Sequence, residues 1–199
     1  LYVVDAGNDR IQKFDSNGKF ITKWGTPGTG DGQFTTPADI VIDKAGNLYV
    51  VDAGNDRIQK FDNNGKFITK WGTPGTGDGQ FTTPADIVID KGGNLYVVDA
   101  GNDRIQKFDS NGKFITKWGT TGSADGQLSR PIGIAIDSSG NTYVCDNANN
   151  RIQKFDNNGK FITKWSVDTP GGIAVGPNGK IYIVNQNSAS MEIYSPVLS

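Results

Sequence analysis

Short apolar runs separated by clusters of Gly, Asn and Asp dominate the chain, and within the runs the pattern is neither helical nor a simple alternation. In Leu48-Tyr49-Val50-Val51-Asp52, Tyr49 and Val51 lie on one face and Leu48 and Val50 on the other, so a strand built here has two apolar faces to bury. In the stretch that contains it, turn signals mark out four strands, 40–43, 48–52, 58–62 and 67–71. Between them lie Lys44-Ala45-Gly46-Asn47, Ala53-Gly54-Asn55-Asp56-Arg57 and Asn63-Asn64-Gly65-Lys66, rich in residues that tolerate left-handed backbone and close hairpins. The pattern predicts an antiparallel meander. The longer segment from Gly72 to Pro84 then carries the chain from the outer strand of one meander to the inner strand of the next.

This unit recurs. LYVVDAGNDRIQKFD starts at Leu1, Leu48 and Leu95, a fourth copy, TYVCDNANNRIQKFD, starts at Thr142, and a degenerate fifth follows as IYIVNQNSASMEIYS. Residues 1–47 and 48–94 differ only at Ser16/Asn63 and Ala45/Gly92, the mark of recent duplication or deliberate design. The units run 1–47, 48–94, 95–141, 142–180 and 181–199, within a single domain. Strands apolar on both faces are satisfied by stacking sheets radially, so the reading is all-β: a β-propeller of four-stranded antiparallel blades, about four and a half of them in this chain. A flat solenoid of strands is the competing architecture, and four strands per unit of this length favour the propeller.

The run D-x-G-N-x-R-I-Q-x-F-D, followed by N-G-K-F and K-W-G, with P-x-x-I-x-x-D-x-x-G-N before the next strand, resembles the NHL repeat over almost the whole chain. The resemblance implies a ring most often of six blades and a function that is usually recognition. Two positions depart from its pattern: Ala38-Asp39 and Ala85-Asp86 stand where the family usually has a Gly, as in Ile132-Gly133 and Gly171-Gly172. The N-terminal edge cuts through a perfect repeat, which leads to the expectation of a piece of a longer chain, with one to one and a half blades upstream closing a six-bladed ring. A self-contained five-bladed ring with two three-stranded blades, and an oligomer whose open edge strands pair between chains, are the alternatives.

Charge and composition narrow the function. The formal net charge is −1, from 20 basic and 21 acidic residues, so no global field recruits nucleic acid or an anionic membrane. No apolar stretch reaches the length of a membrane span. The one cysteine, Cys145, fills the slot of Val4, Val51 and Val98 and reads as a small buried hydrophobe. No histidine occurs, which removes Ser-His-Asp and Cys-His catalysis and His-ligated zinc. Catalytic residues and metal ligands are therefore expected to be absent and the chain not to be an enzyme. A calcium-dependent propeller enzyme such as a hydrolase or lyase is the alternative, with calcium drawn to DAGND or GTGDG. Neither matches the spacing of a calcium loop, so no cofactor is expected.

Four sets of residues recur with the repeat. Asp5 with Arg10, Asp52 with Arg57, Asp99 with Arg104 and Asp146 with Arg151 bracket a tight turn and read as structural braces, because a group present in every blade serves folding first. Asp39 and Asp86 precede the innermost strand, at the mouth of the central channel. They are candidates to hold a cation or amine, against the simpler reading that each caps its own loop. Trp24, Trp71, Trp118 and Trp165, beside Lys23, Lys70, Lys117 and Lys164, are candidates to stack on a sugar or nucleobase, with packing between blades the simpler reading. Lys13, Lys19, Lys23 and their equivalents make one surface locally basic, and an RNA-binding NHL propeller is the reading that would use it, disfavoured by the neutral charge.

The function these features favour is a binding or assembly scaffold that presents repeated loops to a protein or glycan partner, or associates with copies of itself through open blade edges, with no membrane partner. The Asn, Gly and Thr content fits an extracellular or periplasmic setting, and a reducing compartment equally tolerates one cysteine.

Overall fold

The computed structural model describes residues 1–195, so the last four residues of the fifth unit lie outside the described residues. Its strands form five antiparallel sheets. The first blade holds β1 (Tyr2–Asp5), β2 (Arg10–Phe14) and β3 (Phe20–Trp24). The second holds β4 (Pro37–Ile42), β5 (Leu48–Asp52), β6 (Arg57–Phe61) and β7 (Phe67–Trp71). The third holds β8 (Pro84–Ile89), β9 (Leu95–Asp99), β10 (Arg104–Phe108) and β11 (Phe114–Trp118). The fourth holds β12 (Pro131–Ile136), β13 (Thr142–Asp146), β14 (Arg151–Phe155) and β15 (Phe161–Ser166). The fifth holds β16 (Pro170–Val175), β17 (Ile181–Asn185) and β18 (Ser190–Tyr194). The inner strands β4, β8, β12 and β16 follow one another around the channel. The first blade has no inner strand and the fifth no outer strand among the described residues. Among the described residues no helix is long and apolar enough to cross a membrane.

Two boundaries differ from the sequence reading. The inner strand begins at Pro37, which already pairs with Asp52, and Ala38-Asp39 is taken up in a bulge before pairing resumes at Ile40 opposite Val50. A bulge adds a residue to one strand and bends it, so the side-chain pattern before Ile40 reads as loop. The third strand begins at Arg57 and ends at Phe61 because Arg57 pairs directly with Asp52 across a tight turn. In that turn Asp56 adopts left-handed backbone at φ 49°.

The two apolar faces of each blade meet the two neighbours. Leu48 and Val50 of β5 pack with Ile11 and against Val4 and Trp24 of the first blade. Tyr49 and Val51 pack with Leu95, Val97 and Phe108 of the third, together with Phe81 of the connection. The terminal blades expose the half of this contact that has no neighbour. Val3 is 39% accessible while Val50, Val97 and Val144 are fully buried, and Val184 is 44% accessible while Val51, Val98 and Cys145 are fully buried. Burial also pushes the Cys145 thiol well above its ordinary pKa, as for an inert core cysteine.

Blade spacing at the outer rim is set by a glycine. Gly65, in the turn between β6 and β7, lies on the Trp24 indole so closely that a Cβ there would stand 2.5 Å from the ring. Gly159 repeats this on Trp118 at 2.5 Å and Gly112 repeats it on Trp71, whereas Gly18 in the same turn of the first blade has nothing within 4 Å. Both Gly18 (φ 79°) and Gly65 (φ 82°) need left-handed backbone. Gly18→Ala is therefore expected to cost only that conformation, about 1–2 kcal/mol, and Gly65→Ala a further ~1–3 kcal/mol for overpacking against the indole. Urea denaturation of the two variants checks this, and equal losses would mean that the tryptophan yields without cost.

Candidate functional site

Strand polarity sorts the loops onto two faces. The connections between blades (25–36, 72–83, 119–130 and the short 167–169) and the turns between the second and third strands share one face, and the remaining hairpin turns share the other. The first three connections are long, Gly-rich and largely exposed, yet each is tied to the blade it enters. Asp52, fully buried, accepts from Arg57 Nε at 2.7 Å, from Asn55 Nδ2 at 3.0 Å, from Gln59 Nε2 at 3.0 Å and from the Thr35 backbone N–H at 2.8 Å. Arg57 spends its other donors on the connection itself, giving N–H bonds to the carbonyls of Thr29 (2.6 Å), Gly30 (2.8 Å) and Gln33 (2.9 Å). Gln59 adds one bond to the Gln33 carbonyl at 2.6 Å and accepts one from the Gly32 N–H at 3.0 Å. The far end is fixed to the preceding blade, where Asp9 accepts from the Thr36 N–H at 2.7 Å.

The arrangement repeats at Asp99 with Arg104 and Gln106, and at Asp146 with Arg151 and Gln153. In the first blade, where no described connection enters, Arg10 and Asp5 retain their 2.7 Å contact but are partly exposed. The sequence singled out the Asp and the Arg but not the glutamine, which is fully buried in all three blades. Its signal was a polar residue recurring at an inward strand position of RIQKF.

Asp39 and Asp86 sit within the inner strands, at the bulges, rather than before them. They bridge to the next blade and do not cap their own loops: Asp39 accepts from the Ile87 N–H at 3.2 Å, and Asp86 from Ile87 at 2.8 Å and from Ile134 at 2.8 Å. The two carboxyl groups thus converge on one amide. Burial, and then the hydrogen bond and charge of Asp39, hold the Asp86 carboxyl well above the ordinary carboxylate range. In the fourth blade Gly133 takes this position, and a Cβ there would stand 2.7 Å from the Gly171 carbonyl, so the series ends where backbones approach too closely for a side chain.

Trp24 and Trp71, partly buried, and Trp118, buried, lie beneath the turn glycines of the next blade, and among the described residues Trp165 borders a cavity. The basic surface expected from the lysines is largely spent internally. Lys13, Lys60 and Lys107 donate to the carbonyls of Asn63, Ser110 and Asn157, and Lys70 and Lys117 pair with Asp31 and Asp78 at 2.7 Å. Among the described residues no three His, Cys, Asp or Glu side chains gather as a metal site.

Residues 1–64 and 46–116 match the family described as 6-bladed beta-propeller, and residues 128–155 match the NHL repeat. Among solved structures, the chain superposes on a streptogramin B lyase with a TM-score of 0.74 at 19% identity, covering 98% of this chain and 64% of that one. It superposes on a catalytically inactive histidine variant of virginiamycin B lyase from Staphylococcus aureus with quinupristin at a TM-score of 0.73 and 16% identity, covering 100% and 67%. A protein of unknown function from Bacteroides caccae gives 0.69 at 15%, covering 98% and 72%. The chain thus spans less than two thirds of the streptogramin B lyase. These likenesses show the fold. They also correct the expectation that the chain is not an enzyme, since propellers of this shape include lyases, and the architecture does not carry that exclusion.

The geometry sets two outcomes. Arg57→Ala removes the charged partner of a buried carboxylate and one donor from each of three carbonyls and is expected to cost about 3–5 kcal/mol, while Arg10→Ala, at a partly exposed pair that clamps nothing, costs far less; thermal melts of both distinguish them. For Asp86 the raised folded-state pKa contributes stability at low pH that is lost as pH rises through that value. Asp39→Asn is expected to flatten the decline in stability that sets in above about pH 4, and an unchanged pH profile would mean that the two carboxyl groups do not interact.

Proposed function

The chain belongs to the family described as 6-bladed beta-propeller and carries an NHL repeat over residues 128–155, and we propose on that footing that it works as a binding scaffold which displays one rigid loop several times to a protein or glycan partner. The observation that carries this reading is the repeated brace on connections 25–36, 72–83 and 119–130. Each arginine closes three carbonyls of its connection, so the loop tips are preorganised and bind without the cost of ordering a flexible segment. The exposed tips at Thr29-Gly30-Asp31 and Thr76-Gly77-Asp78 are identical, and Ser123-Ala124-Asp125 is a close variant. Identical tips on a fixed ring favour a partner with repeated polar groups, bound by avidity. The test is a protein and glycan array followed by surface binding at high and low ligand density, with Thr29→Ala, Thr76→Ala and Ser123→Ala made singly and together. Each change is expected to weaken binding stepwise at high density, and a ligand indifferent to the triple variant would contradict the reading.

One observation favours a second reading, chemistry at the channel. A carboxyl whose pKa is raised by burial and by a second carboxyl group is suited to deliver a proton to a bound substrate, and Asp86 beside Asp39 has that arrangement on a fold shared with lyases. Incubation with quinupristin, followed by mass spectrometry, tests it: product formed by the wild type and lost in Asp86→Asn supports it, and no product at all removes it.

A further inference from the structure

Three asparagine positions recur in the second, third and fourth blades, and their side-chain amides meet different fates. Asn47 donates to the Asp43 carboxylate at 2.8 Å and precedes Leu48. Asn55 donates to the Asp52 carboxylate at 3.0 Å and to the Gly28 carbonyl at 2.9 Å and precedes Asp56. Asn64, in the turn between β6 and β7, is exposed and precedes Gly65, and its side-chain amide donates to nothing among the described residues. Asn111 before Gly112 and Asn158 before Gly159 repeat this arrangement in the next two blades.

An asparagine followed by glycine carries a nucleophile beside its own electrophile. The glycine backbone nitrogen gives its proton to solvent base and adds to the asparagine Cγ, the side-chain nitrogen leaves as ammonia, and a succinimide closes. Water then opens the ring at one of its two carbonyls. Opening at the former side-chain carbonyl leaves aspartate, and opening at the main-chain carbonyl leaves isoaspartate, in which the main chain runs through the side-chain methylene. Glycine has no Cβ to obstruct the approach, and asparagine is a thermolabile residue through this route.

The folded turn holds that nucleophile back. The Gly65 N–H donates to the Asp62 carbonyl at 3.1 Å, and the amides of Asn64 and Lys66 both donate to the Asp62 carboxylate, at 2.8 and 2.9 Å. Bringing the Gly65 nitrogen onto Asn64 Cγ breaks the first bond and turns the peptide unit between them, yet Gly65 is pressed on the Trp24 indole, where a Cβ would stand 2.5 Å from the ring. Lys13 of the preceding blade fixes the same turn by donating to the Asn63 carbonyl at 2.8 Å. For Asn111 the counterparts are Gly112 on Trp71 and Lys60 on the Ser110 carbonyl at 3.0 Å, and for Asn158 they are Gly159 on Trp118 and Lys107 on the Asn157 carbonyl at 3.1 Å. We propose that Asn64, Asn111 and Asn158 are deamidation sites gated by the blade interface. Each reacts when its turn lifts off the indole of the preceding blade, and the isoaspartate form cannot return, because an added main-chain methylene has no room where a Cβ has none. A local opening thus becomes a permanent release of one blade edge. These turns lie on the face opposite the connections, apart from the loops proposed to bind a partner.

Incubation of the chain at mildly alkaline pH, folded and in urea, with conversion at each asparagine followed by peptide mass spectrometry, tests the proposal. All three asparagines are expected to convert at least tenfold more slowly in the folded chain. Trp71→Ala, which uncovers one turn, is expected to speed Asn111 at least tenfold in the folded chain, while Asn64 and Asn158 keep their wild-type rates and serve as internal controls. Lys60→Met, which keeps the aliphatic stem and loses the bond to the Ser110 carbonyl, is expected to speed Asn111 severalfold, and it decides the matter if Trp71→Ala unfolds and speeds all three alike. Folded rates equal to those in urea, or an Asn111 rate unchanged in both variants, would overturn the proposal. Refolded molecules that carry isoaspartate at position 111 are expected to lose amide protection at Gly112 and Lys113, which donate to Asp109 in the unreacted turn. Protection equal to that of the unreacted chain would overturn the claim that the turn cannot return.

Discussion

Everything on the loop-bearing face depends on one buried ion pair repeated in three blades. A charge such as that of Asp52 is costly to remove from water and is tolerated only where every lone pair finds a donor. The repeat supplies them from Arg57, Asn55, Gln59 and the incoming Thr35 amide. The last of these makes the pair more than a local contact. Because the carboxylate is completed by the backbone of a connection that began in the previous blade, and because the arginine's remaining donors close on that connection, a blade is fully satisfied only when its predecessor has delivered the chain. The same atoms that fold the blade therefore order the loops that face solvent.

The apolar faces supply the bulk of the stability, and the polar braces fix geometry. Stacking buries both faces of each sheet without favouring a particular angle. Glycine on indole at the rim, the Asp39 and Asp86 bridges at the channel and the braced connections set where one blade stops relative to the next. The departure of the fourth blade from this scheme, with Gly133 in place of an aspartate, coincides with a close approach between its backbone and that of the fifth blade at Gly171.

Much of this was legible in the sequence. Apolar residues on both strand faces, a strict repeat and turn residues at fixed offsets name the architecture, because each is a local signal repeated four times. The roles of Asp39 and Asp86 were not legible, since their partners Ile87 and Ile134 lie in the following blades and only the fold brings them within reach. The start of β4 was hidden by its bulge, and Gln59 was hidden by its place in an otherwise apolar strand. The tryptophans carried an ambiguous signal: the same Lys-Trp pair is covered by a turn at three positions and, among the described residues, borders a cavity at the fourth.

The claim that the braces preorganise the loop-bearing face is tested most directly by hydrogen exchange, read by mass spectrometry on the wild type and on Arg104→Ala. The account predicts that the amides of Gly75, Gln80 and Phe81, hydrogen-bonded within connection 72–83, and that of Thr82, which donates to the Asp99 carboxylate, exchange slowly in the wild type. In the variant they should lose protection while connections 25–36 and 119–130 keep theirs. Rapid exchange of all three connections in the wild type, or unchanged protection of 72–83 in the variant, would contradict it.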